Sequence, residues 1–266
     1  MSDDYREFQG AAERIGIEAG QLLLGLSGRV SVREKGPADL VTEADFASQR
    51  LIAGRLQELF PEHTLLAEEE GAETDYSRPW RWVVDPLDGT MNFAHGFPFW
   101  VVSIALEHAG RLVVGVVHNP LLGETYSASL GQGATRNGQP IHVSAVAGLK
   151  ESLITAAVPV DFGNDSRRQL AYLARLSTGT HSVRRTGSSA MNLAILASGG
   201  CEICYGTAMN AWDAAAGVVL VREAGGMVTR FSGDPYDLYG QEILASNGKV
   251  HAASIAAIKE AWPPRH

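Results

Sequence analysis

Apolar residues near the start of the chain recur at helical spacing. Phe8, Ala12, Ile15, Ala19, Leu22, Leu23 and Leu26 fall on one side of a helix, which predicts a helix over residues 5–26. The polar run from Arg33 to Asp39 breaks that pattern, and its Gly36-Pro37 pair predicts a loop. A second helix is predicted from Thr42, whose hydroxyl can cap the free amides, with Asp45 three residues on in box-like spacing. Phe46, Ile52, Leu56 and Leu59 supply its buried stripe, and Pro61 marks its end.

The pattern then changes from helical to strand-like. Residues 81–84, 100–106 and 112–117 are apolar runs, and His108-Ala-Gly110 between the last two predicts a hairpin. Residues 124–128 and 134–136 continue as strands, and Asn137-Gly138 follows as a turn signal. Beyond residue 150 the elements alternate. Strands are expected at 153–158, 182–186, 203–205 and 227–230, and helices at 165–177, 188–197 and 212–224 and from about residue 250. Gly225-Gly226 stops the helix before it. This uneven order predicts an α/β (α+β) fold of layered sheets and helices, not a regular βα barrel. Two halves of one compact unit are expected, residues 1–145 and 146–266.

Composition narrows the class. Of 266 residues 45% are hydrophobic, enough to bury about three quarters of the unfolded surface. No apolar run approaches a membrane span. The start, Met1-Ser-Asp-Asp, lacks a basic segment and an apolar segment, so a cytoplasmic protein is expected, with no membrane partner. Cys201 and Cys204 form a C-x-x-C pair without the second pair a four-thiolate site needs, and are read as small core residues. The net charge of -8 disfavours a nucleic-acid partner. It would also repel a phosphorylated substrate unless clustered carboxylates held a divalent cation.

Four acidic segments could do so. In Asp85-Pro-Leu-Asp88-Gly-Thr90 an apolar strand ends at an aspartate, and Pro86 bends the chain so that Asp88 can face the same cavity. Gly89 permits close backbone approach, and Thr90 offers an amide and a hydroxyl at a possible helix start. The alternative is that both aspartates merely cap a turn or helix. Glu68-Glu-Glu70 ends a short apolar strand; the alternative is a solvated charge run. Asp213 lies in the first turn of a small-residue helix, where it could also serve only the helix dipole. Lys35 and Asp45 flank the polar loop, and each could be a surface or first-turn residue.

Together these segments resemble the inositol monophosphatase family of Mg²⁺-dependent, lithium-sensitive phosphatases. The resemblance runs from about residue 5 to residue 248. It rests on Lys35 to Asp45, Glu68-Glu69, Trp82 to Thr90 with Asn92-Phe93, Gly187 to Asn192, Trp212-Asp213 with Ala215 and Gly217, and Glu223 to Gly226. It implies a layered αβαβα sandwich, a homodimer, and hydrolysis of a small phosphate monoester, foremost inositol monophosphate. By resemblance Glu68, Asp85 and the Leu87 carbonyl hold one Mg²⁺, and Asp85, Asp88 and Asp213 a second, with a weaker third near Glu68. Thr90 and Glu68 orient the attacking water and Asp45 joins them as a catalytic residue. Asp88, Gly89, Thr90, Gly187, Ser188, Ser189 and Gly206 line phosphate and substrate, and Lys35 sits on the adjoining loop.

Two positions depart from the family pattern. Gly206 stands where inositol-specific members carry a glutamate that accepts hydrogen bonds from substrate hydroxyls, and Met91 replaces a small hydroxyl residue. The family also includes phosphatases of histidinol phosphate, fructose 1,6-bisphosphate and adenosine 3′,5′-bisphosphate, which stand as alternatives. A non-enzymatic reading, an interaction protein of RNA or transcription complexes, is a further one.

Overall fold

A computed structural model describes residues 4–29, 32–36, 39–69, 78–159 and 165–262, with the backbone alone for 32–36 and 39–41. Helix α1 (Arg6–Leu26) buries Ala12, Ile15, Ala19 and Leu23, the stripe expected from the sequence. Helix α2 (Glu43–Leu59) begins at Thr42 in a full capping box, in which Thr42 and Asp45 satisfy each other's end of the helix.

Between these helices the expected loop is instead an antiparallel hairpin of β1 (Val32–Gly36) and β2 (Asp39–Thr42). Backbone pairing needs no apolar periodicity, so a charged hairpin leaves no strand signal in the sequence.

Seven strands form one sheet in the order β3-β4-β5-β6-β7-β8-β9. They are β3 (Thr64–Ala67), β4 (Trp80–Asp88), β5 (Val101–His108), β6 (Arg111–Asn119), β7 (Glu124–Ser129), β8 (Ala134–Arg136) and β9 (Gln139–Ile141). Helix α3 (Thr90–Ala94) lies between β4 and β5. Both predicted turns are built from residues at positive φ, Ala109-Gly110 at 50° and 78° and Asn137-Gly138 at 50° and 76°. That geometry matches the twist of the strands they join.

Five strands form the second sheet in the order β11-β10-β12-β14-β13. These are β10 (Leu153–Ala157), β11 (Ser182–Arg184), β12 (Ile203–Thr207), β13 (Met227–Thr229) and β14 (Glu242–Ser246). The helices of this half are α4 (Ser166–Ser177), α5 (Ser189–Ala197), α6 (Ala211–Glu223) and α7 (His251–Ala261). Strand β14 escaped the sequence reading. It is central, buried on both faces and only five residues long, so it shows no alternation.

Side-chain alternation assigns the layers. Trp82 and Val84 of β4 pack with α1 and α2, whereas Val83 packs with α5 and α6. On β12, Cys204 joins that same α5/α6 core, while Ile203 and Tyr205 face Tyr172 and Leu176 of α4 and Ile258 of α7. The order is therefore helices, sheet, helices, sheet, helices, the expected αβαβα sandwich. Helix α6 is buried along nearly its whole length, including Ala214, Ala215, Ala216 and Val218, because it has a sheet on each side.

That close approach generates a test. A Cβ added at Gly115 of β6 would sit 2.3 Å from the Ala216 carbonyl oxygen of α6. Gly115→Ala is expected to destabilise the fold by about 2 kcal/mol through overpacking. Urea unfolding measures this; an unshifted midpoint would show that sheet and helix separate at no cost.

Candidate active site

A β-bulge builds the centre of the site. Asp85 pairs with Ser103 of β5 and Asp88 pairs with Val101, so three steps along β4 match two along β5. In a regular strand residues three apart point to opposite faces. The extra residue cancels that inversion. Before the bulge, odd-numbered Val83 faces α5 and α6; after it, odd-numbered Leu87 lies in the α1/α2 core and Asp88 faces α5. Asp85 and Asp88 thus share one face. The bulge is anchored by α2, where Ser48 Oγ donates to the Pro86 carbonyl at 2.8 Å.

Asp88 is gripped by the start of α5. It accepts hydrogen bonds from Ser188 Oγ at 2.5 Å, the Ser189 amide at 3.1 Å and the Ala190 amide at 2.7 Å. The predicted substrate-lining residues Ser188 and Ser189 therefore have a partner in Asp88. Gly187, at φ 86°, leaves room for Asn92, whose amide nitrogen would lie 2.9 Å from an added Cβ.

Gly89 adopts φ 102°, and an added Cβ would lie 3.0 Å from the Phe99 carbonyl oxygen. The left-handed conformation and the close approach both call for glycine. The chain then turns into α3, placing the Thr90 hydroxyl 2.9 Å from Asp45 Oδ1 and 3.1 Å from the Leu87 carbonyl oxygen. Asp45 Oδ2 is occupied by the Thr42 amide at 2.8 Å and the Thr42 hydroxyl at 2.7 Å. Helix α2 therefore presents one oxygen of a fully buried carboxylate to Thr90.

Glu68 follows the last residue of β3, and its amide donates to Val84 of β4 at 3.3 Å. The next residue is clamped from both sides: Gln49 Oε1 accepts from the Glu69 amide at 2.9 Å, and Gln49 Nε2 donates to the Glu69 carbonyl at 3.0 Å. Sequence reading missed Ser48 and Gln49. The signal was present, since both are polar residues on the buried stripe of α2 with Ile52 and Leu56.

Electrostatics ties these carboxylates together. Burial pushes Asp85 well above the usual carboxylate range, and Glu68, Asp88 and Asp213 push it further. Asp88 is also raised by burial, against the pull of Ser188 and the α5 amides. Asp213, in the first turn of α6, is pushed up to about 7 by burial, opposed by its hydrogen bond from the Asn210 amide at 2.7 Å and raised again by Asp88. Asp45 is raised by burial too. The structure thus brings Glu68, Asp85, Asp88 and Asp213 within electrostatic reach, with Asp45 joined through Thr90.

The donors of this set are the hard oxygens that Mg²⁺ takes. Among the described residues no three acidic, histidine or cysteine side chains close into a cage.

Two predicted residues stand apart. The Lys35 side chain lies outside the described residues. Gly206 is buried in β12, where an added Cβ would lie 2.7 Å from Met209 Sδ and 2.9 Å from Ile243 Cγ2. The position of the family glutamate is therefore filled by the Met209 side chain. Cys201 and Cys204 are both buried and free, as expected of core residues.

A sequence profile described as the inositol monophosphatase family matches residues 4–262. An inositol-1-monophosphatase of Synechocystis is 41% identical over 240 residues, covering 88% of this chain and 83% of its own. A fructose-1,6-bisphosphatase/inositol-1-monophosphatase of Thermotoga maritima is 38% identical over 245 residues, covering 91% of this chain and 92% of its own. Among solved structures, the extragenic suppressor protein suhB from Bartonella henselae matches with TM-score 0.91 and 33% identity over 96% of this chain and 99% of that one.

The buried acids predict an unusual pH dependence for metal-free protein. Asp213 titrates near 7 in the fold and near 4 when unfolded. Below both values each state is protonated and its burial costs nothing. Between the two values the unfolded chain releases the proton that the fold retains, so stability falls as pH rises and levels off once the folded value is passed. In chelator, melting temperature should drop by a few degrees between about pH 5 and about pH 8, and by less in Asp213→Asn. Equal slopes for the two proteins would refute the assignment.

Proposed function

The chain belongs to the inositol monophosphatase family, and we propose that its acidic cleft hydrolyses inositol monophosphate or a closely related polyol phosphate by direct attack of water. It is a phosphoric monoester hydrolase. The observation that carries the reading is the Thr90 hydroxyl 2.9 Å from Asp45, beside the paired aspartates of the bulge.

Each residue then has a role. Thr42 occupies one oxygen of Asp45, leaving the other to accept the Thr90 proton. The Thr90 oxygen can in turn accept a hydrogen bond from water and aim it at phosphorus. Glu68 would share that water from the end of β3 and take up its proton as the bond from phosphorus to the alcohol oxygen breaks, and the departing oxygen takes a proton from solvent water. Glu68, Asp85 and the Leu87 carbonyl would hold one Mg²⁺, and Asp85, Asp88 and Asp213 a second, with a weaker third near Glu68. Bound Mg²⁺ supplies positive charge for the phosphate and lowers the pKa of water. In this reading the Gly89 and Thr90 amides would receive phosphate oxygens. Because water is the nucleophile, no cysteine or serine attack is needed.

Gly187, Ser188 and Ser189 line the leaving-alcohol side in this reading, and Gly206 withdraws the acidic contact that inositol-specific members make. Strand β2 packs against α3, so the β1–β2 pair that carries Lys35 would border the cleft in this reading. A homodimer in the cytoplasm is the assembly we propose, following the family; among the described residues no helix is long and apolar enough to cross a membrane.

The test is phosphate release from a panel of monoesters with Mg²⁺ and with chelator; no metal-dependent release from any of them would end the proposal. Thr90→Ala and Asp45→Asn should each lower kcat by about 100-fold or more with a smaller change in KM, since both act on the water. A loss confined to KM would instead make Thr90 a binding residue.

A further inference from the structure

We propose that the crevice between the carboxyl ends of β10 and β12 is a subsite for a second anionic group on the leaving alcohol, recognised by Arg168 and Arg230. This rests on the phosphatase reading above. It would make a polyol phosphate with a phosphate or carboxylate at its far end the preferred substrate class.

Topology creates the crevice. Strands β10 and β12 are neighbours and parallel. The chain leaves β10 for α4 on the outer layer and leaves β12 for α6 between the sheets. Where adjacent parallel strands send their connections to opposite sides, a gap opens at their carboxyl ends. A cavity of about 620 Å³ lies there, lined by Pro159 beyond β10, Thr207 at the end of β12 and Ala208 just past it, and both arginines. That volume suits a small metabolite.

The walls are built, not incidental. Asp165 Oδ2 accepts from Arg168 Nε at 2.8 Å and from Gln169 Nε2 at 3.0 Å, and Gln169 Oε1 accepts from the Thr207 hydroxyl at 2.9 Å. This chain locks the first turn of α4 to the end of β12. Arg230 is steadied by Asp237 at 2.8 Å. Asp165 takes Nε and Nη2 of Arg168, and Asp237 takes Nη2 of Arg230, which leaves Nη1 of each guanidinium for an anion.

The opposite wall is pinned from the other sheet. Tyr239 donates to Glu107 Oε2 at 2.8 Å and accepts from Arg81 Nη1 at 2.9 Å, and that arginine also pairs with Glu107 at 2.8 Å. Gly240 and Gln241, the next two residues, line the cavity. The Gln241 carbonyl accepts from the Met209 amide at 3.1 Å, next to Ala208 at φ 55°. A left-handed alanine carries strain that persists where surroundings over-determine it, as at ligand sites.

The lining carries two arginines and two acids; Asp165 is held by Arg168 and Gln169, and Glu242 Oε1 accepts from the Phe231 amide at 3.2 Å. Gly206, directly before Thr207, removes the carboxylate that would repel a second anion. Ala208 and Asp213 are five residues apart, so the subsite lies within about 17 Å of the predicted metal ligands.

The matched pair fructose 1-phosphate and fructose 1,6-bisphosphate tests the proposal. With Mg²⁺, the parent enzyme should prefer the bisphosphate in kcat/KM by about tenfold or more. Arg168→Gln and Arg230→Gln should each lower that ratio, and the double variant should bring it near one, all three melting like the parent. In chelator, where nothing turns over, the bisphosphate should raise the melting temperature of the parent and not of the double variant. A parent ratio near one, or a ratio unchanged in the double variant, overturns the subsite. Failure to hydrolyse either ester would refute the phosphatase reading instead, and the chelator arm would still decide the subsite.

Discussion

Mutual repulsion among buried carboxylates is the constraint around which this molecule is arranged. Asp85, Asp88 and Asp213 are all raised by burial, and Asp85 feels each of the other acids. Left alone, such a set would disperse into water or take up protons. What keeps it together is backbone. The bulge in β4 turns two aspartates to one face, and the α5 amides absorb part of the charge on Asp88.

The supports come from every layer that touches the sheet. Helix α2 contributes Asp45, Ser48 and Gln49, which reach Thr90, Pro86 and Glu69 in turn. Helix α6 brings Asp213 in its first turn, and its small residues let it lie close enough to β6 that Gly115 admits no methyl group. The fold thus spends packing freedom on one cleft. A bound cation would complete it by reversing the local sign, which is how an acidic protein can receive a phosphate.

In the reading proposed above, specificity is placed differently from chemistry: the groups that would act on water belong to the seven-stranded sheet and α2, and those that would face the leaving alcohol belong to the five-stranded half. Gly206 and Met209 show how that half can change without disturbing the carboxylates: the Met209 side chain fills the space of the missing acid.

Much was legible in the residues alone. The stripe of α1, the Thr42 box, the Ala109-Gly110 and Asn137-Gly138 turns and the order of acidic segments follow from local propensities that need no distant partner. The charged β1–β2 hairpin and the central strand β14 were hidden, because pairing and two-sided burial leave no periodic mark. The spacing of Asp85 and Asp88 suggested a shared cavity. Only the register against β5 explains it, since a bulge is a relation between two strands. Ser48 and Gln49 lie on the buried stripe of α2, but only the tertiary structure supplies their partners, Pro86 and Glu69. Local chemistry was written in the sequence; which groups meet, and which charges must coexist without water, was decided by contacts between residues far apart along the chain.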